Sequence, residues 1–148
     1  MGLSIYIPGE ACAQGRPRFT VIKNKTTGKS RTIAFDPKES KNYKSLVKMA
    51  AQEAIEQQEW KYTELPLVLT ICFWKSIPKS KSKKFREAAI AGYEFPAVKP
   101  DVDNVAKAIM DALSGVAYKD DKQVCDLIVR KRYTDKGPSV DVYIEVLL

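Results

Sequence analysis

Residues 66–74 read PLVLTICFW, a near-continuous apolar run. It is short and β-branched, which predicts a central strand buried on both faces. Upstream, Asp36, Pro37 and Glu39 make the N-cap, first helical position and capping box of a helix. Tyr43, Leu46, Val47, Ala50 and Ala54 then recur at helical spacing. Further upstream, Leu3, Ile5 and Ile7 alternate with Ser4 and Tyr6 as a half-buried first strand. Arg18–Ile22 and Arg31–Phe35 read as a hairpin around a polar, basic loop over 23–30. Downstream, Ser80 or Ser82 opens a helix to about Ala91, stopped by Gly92. A third helix is predicted over about Asn104–Ser114, on the stripe Val105, Ala108, Ile109, Ala112 and Leu113. Two strands, about Gln123–Tyr133 and Ser139–Leu147, close the chain around a turn at 135–137. The order βββαβααββ predicts one α+β domain over 1–148, a mixed sheet covered by helices.

The chain has 148 residues and a 45% apolar fraction, an ordinary globular composition for one domain. No apolar run approaches the ~20 residues of a membrane span. The first seven residues are short and uncharged, unlike a secretory leader. Lys and Arg number 25 against 18 Asp and Glu, a net charge of +7 that points to a polyanionic partner. Histidine is absent, which excludes Ser-His-Asp and Cys-His mechanisms and His-ligated zinc. Cys12, Cys72 and Cys125 are scattered and odd in number, a poor disulfide framework. A reducing, cytoplasmic location is therefore expected. Any catalysis must rest on carboxylates, Lys, Arg, Tyr and hydroxyls.

Residues 99–122, KPDVDNVAKAIMDALSGVAYKDDK, carry the strongest chemical signal. Asp101 follows a proline, so its approach is not helical. In an extended segment Asp101 and Asp103 would project to one side. Paired carboxylates repel each other unless a cation sits between them, and Mg²⁺ is commonly held by one or two carboxylates with phosphate and water. Asp103, Lys107 and Asp111 are spaced by four, in one row on the polar face of the helix. Lys107 then stands one turn from the paired acids, where an ammonium can stabilise charge on a reacting phosphate. One of Asp120 and Asp121 could complete a three-carboxylate site. The plainer alternatives are an N-cap at Asp103, a surface ion-pair ladder through Lys107, and an ordinary polar turn at Asp120-Asp121.

The spacing Asp101-x-Asp103-Asn104-x-x-Lys107-x-x-x-Asp111-Ala112-Leu113, followed by Asp120-Asp121-x-Gln123-Val124, resembles the signature of RusA-type Holliday-junction resolvases. The opening residues 8–19 and the segment from Asp36 to Tyr43 resemble phage-type members, so the likeness spans almost the whole chain. The resemblance implies a homodimeric, Mg²⁺-dependent endonuclease, with Mn²⁺ as a substitute, that makes paired symmetric nicks in four-way DNA junctions. It places the metal-binding acids on Asp101, Asp103 and Asp121 and the essential lysine on Lys107. Asp111 matches a recurrent acid, and Ser114 stands where Asn is frequent. Rival readings are a metal nuclease for another branched or flap DNA, and a non-catalytic branched-DNA-binding protein.

Basic clusters agree with such a partner. Lys79, Lys81, Lys83, Lys84 and Arg86 fall in a stretch without acids; Arg130 and Arg132 lie beside Lys131 and Lys136; Arg16 and Arg18 form a third group. Phosphate contacts from such patches are independent of base sequence. Tyr93 and Phe95 read first as core-packing residues, with stacking on a base as the alternative. Residues 9–16, GEACAQGR, mimic the spacing of a phosphate-binding loop but lack its Lys and Ser/Thr. No nucleotide cofactor and no membrane association are expected.

Overall fold

A computed structural model describes residues 2–15, 18–35 and 38–148. Its elements are β1 (Gly2–Pro8), β2 (Arg18–Lys23), β3 (Ser30–Phe35), α1 (Lys38–Gln58), β4 (Leu67–Ser76), α2 (Lys83–Ile90), α3 (Val102–Leu113), β5 (Val124–Thr134) and β6 (Ser139–Val146). A single turn of 3₁₀ helix, Asp121–Gln123, leads into β5. The observed order is βββαβααββ, and the architecture is α+β with a mixed sheet, as the sequence predicts. The capping box expected at Asp36 and Pro37 lies outside the described residues.

The main sheet has the order β1-β6-β4-β5. β6 pairs antiparallel with β1 and β4, whereas β4 and β5 run parallel. Parallel neighbours need a long crossover, and residues 77–123, with α2 and α3, supply it. This corrects the hairpin expected at 135–137: β5 and β6 are not neighbours, because β4 lies between them. The connection instead crosses the end of β4, tied by the Gly9 N–H donating to the Pro138 carbonyl at 3.0 Å. The β2–β3 pair forms a separate two-stranded sheet.

One face of the main sheet presents Leu3, Ile5, Ile7, Leu69, Ile71, Phe73, Val140, Val142 and Ile144 to α1 and α3. Full burial of each such side chain stabilises by about 1.5–3 kcal/mol. From α1 come Tyr43, Val47, Ala51 and Ala54, a stripe that turns the predicted Leu46 out to solvent. From α3 come Val105, Ala106, Ile109, Ala112 and Leu113. The opposite face of β4 is only half-buried, so the strand alternates where burial on both faces was expected. Cys72 sits on that half-open face, and burial first, then the charge of Asp141, raises its thiol pKa. All three cysteines are free.

Candidate active site

α3 begins at Val102, two residues before the predicted start. Asp101 is the extended N-cap residue and Asp103 is already in the first helical turn. The two acids therefore do not share one face of an extended segment, which corrects that geometric expectation. Asp101 makes no side-chain capping hydrogen bond. Asp103 Oδ1 accepts from the Asn104 N–H at 3.0 Å. The N-cap reading of Asp103 thus does not hold.

Asp103 and Lys107 of α3 meet Asp121 of the 3₁₀ turn at an open cavity of about 590 Å³. Leu127 and Val129 of β5, with Ala106 and Met110 of α3, give it apolar walls. Two carboxylates and an ammonium therefore stand at one concavity. Among the described residues Lys107 makes no ion pair within 4.0 Å, so the Asp103–Lys107–Asp111 ladder does not form. Asp111 instead pairs with Lys44 of α1 at 3.5 Å. Asp101 lies at the head of α3 and is not among the cavity's lining residues. No group of three acids or thiols among the described residues stands close enough to hold an ion.

The Asp120-Asp121 pair is divided by its hydrogen bonds. Asp120 caps the turn: its Oδ1 accepts from the Lys122 N–H at 3.0 Å. Its own N–H donates to Gln123 Oε1 at 2.8 Å. The Lys122 N–H, then the side-chain hydrogen bond with Asp121, hold its carboxyl below the usual range. Asp121 moves the other way, raised first by its hydrogen bond with Asp120, then by burial and by the charges of Asp120 and Asp111. Negative charge thus accumulates around Asp121, and a cation relieves such crowding. With oxygen donors from Asp103 and Asp121, the donor chemistry fits a hard divalent cation.

Three residues make positioning contacts that escape the sequence reading. Gln123 Nε2 donates to the carbonyls of Thr63 and Leu65 at 3.0 and 2.9 Å, which docks the 3₁₀ turn against the α1–β4 connection. Trp60 Nε1 donates to the Ala117 carbonyl at 2.9 Å in the same seam. Lys131 Nζ donates to the carbonyls of Val98 and Pro100 at 2.5 and 3.0 Å, which fastens the approach to Asp101 onto β5. Its basic neighbours suggest a DNA contact, but its alternation with Leu127 and Val129 is the signal that it shares their face.

The DNA-binding candidates differ in freedom. Lys79, Lys81, Lys83, Lys84 and Arg130 are exposed. Lys81 lies 4.7 Å from the Phe85 ring centroid, and Lys83 reaches Glu87 at 4.0 Å. Arg86 and Arg132 are half-buried and bond the carbonyls of Pro78 and Lys131. Arg132 also lies 5.0 Å from the Phe95 ring centroid. Arg16 lies outside the described residues, and Arg18 opens β2 with its side chain undescribed. Tyr93 is 81% and Phe95 56% exposed, so neither is a core residue.

The chain is 39% identical over 144 residues, 96% of its own length and 94% of the relative's, to the uncharacterized protein YqaN of Bacillus subtilis (strain 168). The family model described as "Endodeoxyribonuclease RusA" matches residues 8–145, which includes every acid of the cavity and Lys107. The chain belongs to the RusA endodeoxyribonuclease family, whose members resolve Holliday junctions.

Proposed function

We propose that this chain resolves four-way DNA junctions by Mg²⁺-dependent phosphodiester hydrolysis, making paired symmetric nicks as a homodimer. The observation that carries the reading is the meeting of Asp103, Lys107 and Asp121 at one open cavity. Asp103 and Asp121, with Asp101 at the head of the same helix, would hold the ion; Mn²⁺ would substitute. When bound, such an ion supplies Lewis acidity: a more acidic water and neutralised phosphate charge. Lys107, which carries no ion-pair partner among the described residues, is available to a scissile phosphate. The apolar walls from Leu127 and Val129 limit water on one side of the cavity and strengthen these electrostatic contacts. Lys79, Lys81, Lys83, Lys84 and Arg130 are exposed and suit phosphate contacts, with Arg16, Arg18, Arg86 and Arg132 as further candidates. Exposed Tyr93 and Phe95 suit stacking on an unpaired base.

A synthetic four-way junction incubated with the protein and Mg²⁺ tests this. Paired nicks at symmetric positions are expected, and none in EDTA. Equal cleavage of linear duplex would overturn the junction selectivity. Preference for a flap over a junction would favour the rival nuclease reading.

A further inference from the structure

The β2–β3 hairpin is outside the main sheet, and no described side chain of it belongs to the core. A two-stranded ribbon is marginal by itself in water, so a fold that carries one gains little stability from it. Its charge is one-sided. Residues 16–35 hold Arg16, Arg18, Lys23, Lys25, Lys29 and Arg31, and the sequence has no acid between Glu10 and Asp36. Lys23, Lys25, Lys29 and Arg31 are all exposed, and Val21 is 63% exposed.

The end of the ribbon is built. The Asn24 N–H donates to the Lys29 carbonyl at 2.7 Å and the Gly28 N–H to the Asn24 carbonyl at 2.8 Å. Asn24 Oδ1 accepts from the N–H groups of Thr26 and Thr27 at 2.9 and 3.2 Å. These bonds consume polar groups of the backbone and leave the lysine ammonium groups to solvent. Lys29 and Arg31, with Asn24, Thr27 and Ser30, line an open concavity of about 650 Å³. Cations beside hydroxyl and amide groups suit a polyanion's backbone.

We propose that this hairpin is an arm that grips a duplex arm of the DNA through its phosphates. The proposal rests on the junction reading above for its partner. A ribbon with six-residue strands is about 20 Å long. The major groove of B-DNA, about 12 Å wide, admits two such strands. Phosphate contacts from the lysines would be indifferent to base sequence. They would add affinity shared by every DNA sequence.

The test is a triple variant, Lys23→Ala, Lys25→Ala and Lys29→Ala, beside a charge-matched control, Lys41→Ala, Lys48→Ala and Lys61→Ala. All six residues are exposed, so both variants should fold, as circular dichroism would verify. Binding to a linear duplex and to a four-way junction is measured across monovalent salt without Mg²⁺. The hairpin variant should lose about tenfold or more in affinity for both DNAs near 100 mM salt, with a log–log salt slope shallower by up to about 0.9 for each of the three lysines. Equal losses in the two variants would reduce the effect to net charge and overturn the arm. An unchanged salt slope, or a change only in oligomeric state, would overturn it too. A wild-type protein that binds no DNA would instead overturn the junction reading on which the arm depends.

Discussion

At the scale of single residues, the site is a division of labour among similar side chains. Asp120 and Asp121 are adjacent, yet one is spent on capping the 3₁₀ turn while the other faces the cavity. Asp103→Asn and Asp121→Asn should each lower junction cleavage in Mg²⁺ by orders of magnitude while junction binding persists. Each ~1.4 kcal/mol of lost transition-state stabilisation is a factor of ten. Asp120→Asn should be milder, because an amide oxygen can still accept the Lys122 N–H. Single-turnover cleavage beside gel-shift binding checks all three; near wild-type rates for both Asp103→Asn and Asp121→Asn would remove the site. Lys131→Met keeps the aliphatic stem and deletes both donors to the approach of Asp101. We expect the Mg²⁺ concentration for half-maximal cleavage to rise about tenfold, the cost typical of losing a group that orients metal ligands. Junction affinity without metal should stay unchanged, and Lys131→Arg should recover part of the loss. A phosphate-contacting Lys131 would show the opposite split.

At the scale of elements, α2 is the clearest charged surface. Its first turn carries Lys83 and Lys84, with Ser82 Oγ accepting from the Phe85 N–H at 3.1 Å as its cap. The exposed Lys83–Glu87 contact contributes little to stability, so removing these lysines should spare the fold. Lys83→Ala with Lys84→Ala should weaken binding alike for junctions of every sequence and reduce the salt slope by about 0.9 per lost phosphate contact. A loss confined to particular sequences, seen in a panel of junctions, would mean that the pair reads bases. α3 joins the two jobs of the molecule: its apolar stripe enters the core while Asp103 and Lys107, one turn apart, face the cavity. Both faces were legible from spacing, because the helical period fixes relative faces within one element. Its start was not legible. Pro100 excludes a helical approach in the preceding segment, but whether helix begins at Val102 or Asn104 is settled by local capping and packing.

At the scale of the whole molecule, a four-way junction presents symmetric strands, and under the function proposed above one cavity per chain would serve one of them. A homodimer is therefore expected in sedimentation at micromolar concentration. A species of one 16.6 kDa chain whose nicks are still paired would contradict it. The core makes a separate prediction about pH. Burial is the first cause that raises the phenols of Tyr43 and Tyr118 above their usual range. An unfolded tyrosine ionises near 10. Because the folded pKa values are raised, their contribution is fully present below about pH 10 and is lost as pH rises from there towards the folded values, by up to about 1.4 kcal/mol per pH unit for each group. Urea unfolding at pH 8 and near pH 11 should show this drop. The Tyr43 hydroxyl is buried without a hydrogen-bond partner among the described residues. Tyr43→Phe should thus be neutral or stabilising at pH 8 and should flatten the alkaline loss; an unchanged pH dependence would refute the assignment.

Local pattern in the sequence was enough for the kind and order of the elements, and for the spacing that puts Asp103 and Lys107 on one helix face. Helix and strand periods record which side of an element is buried, and both are readable within about ten residues. Partner choice is a different quantity. The alternation in β5 and β6 is compatible with a hairpin, yet the long crossover through α2 and α3 returns β5 beside β4, so β6 pairs on the other side. The same distance in sequence hid the Gln123 bonds to Thr63 and Leu65 and the Lys131 bonds to Val98 and Pro100, which hold the acids' flanks. A donor spends itself on whichever carbonyl the tertiary fold brings within reach, and residues 30 to 60 positions apart come within reach only when the chain has closed its core.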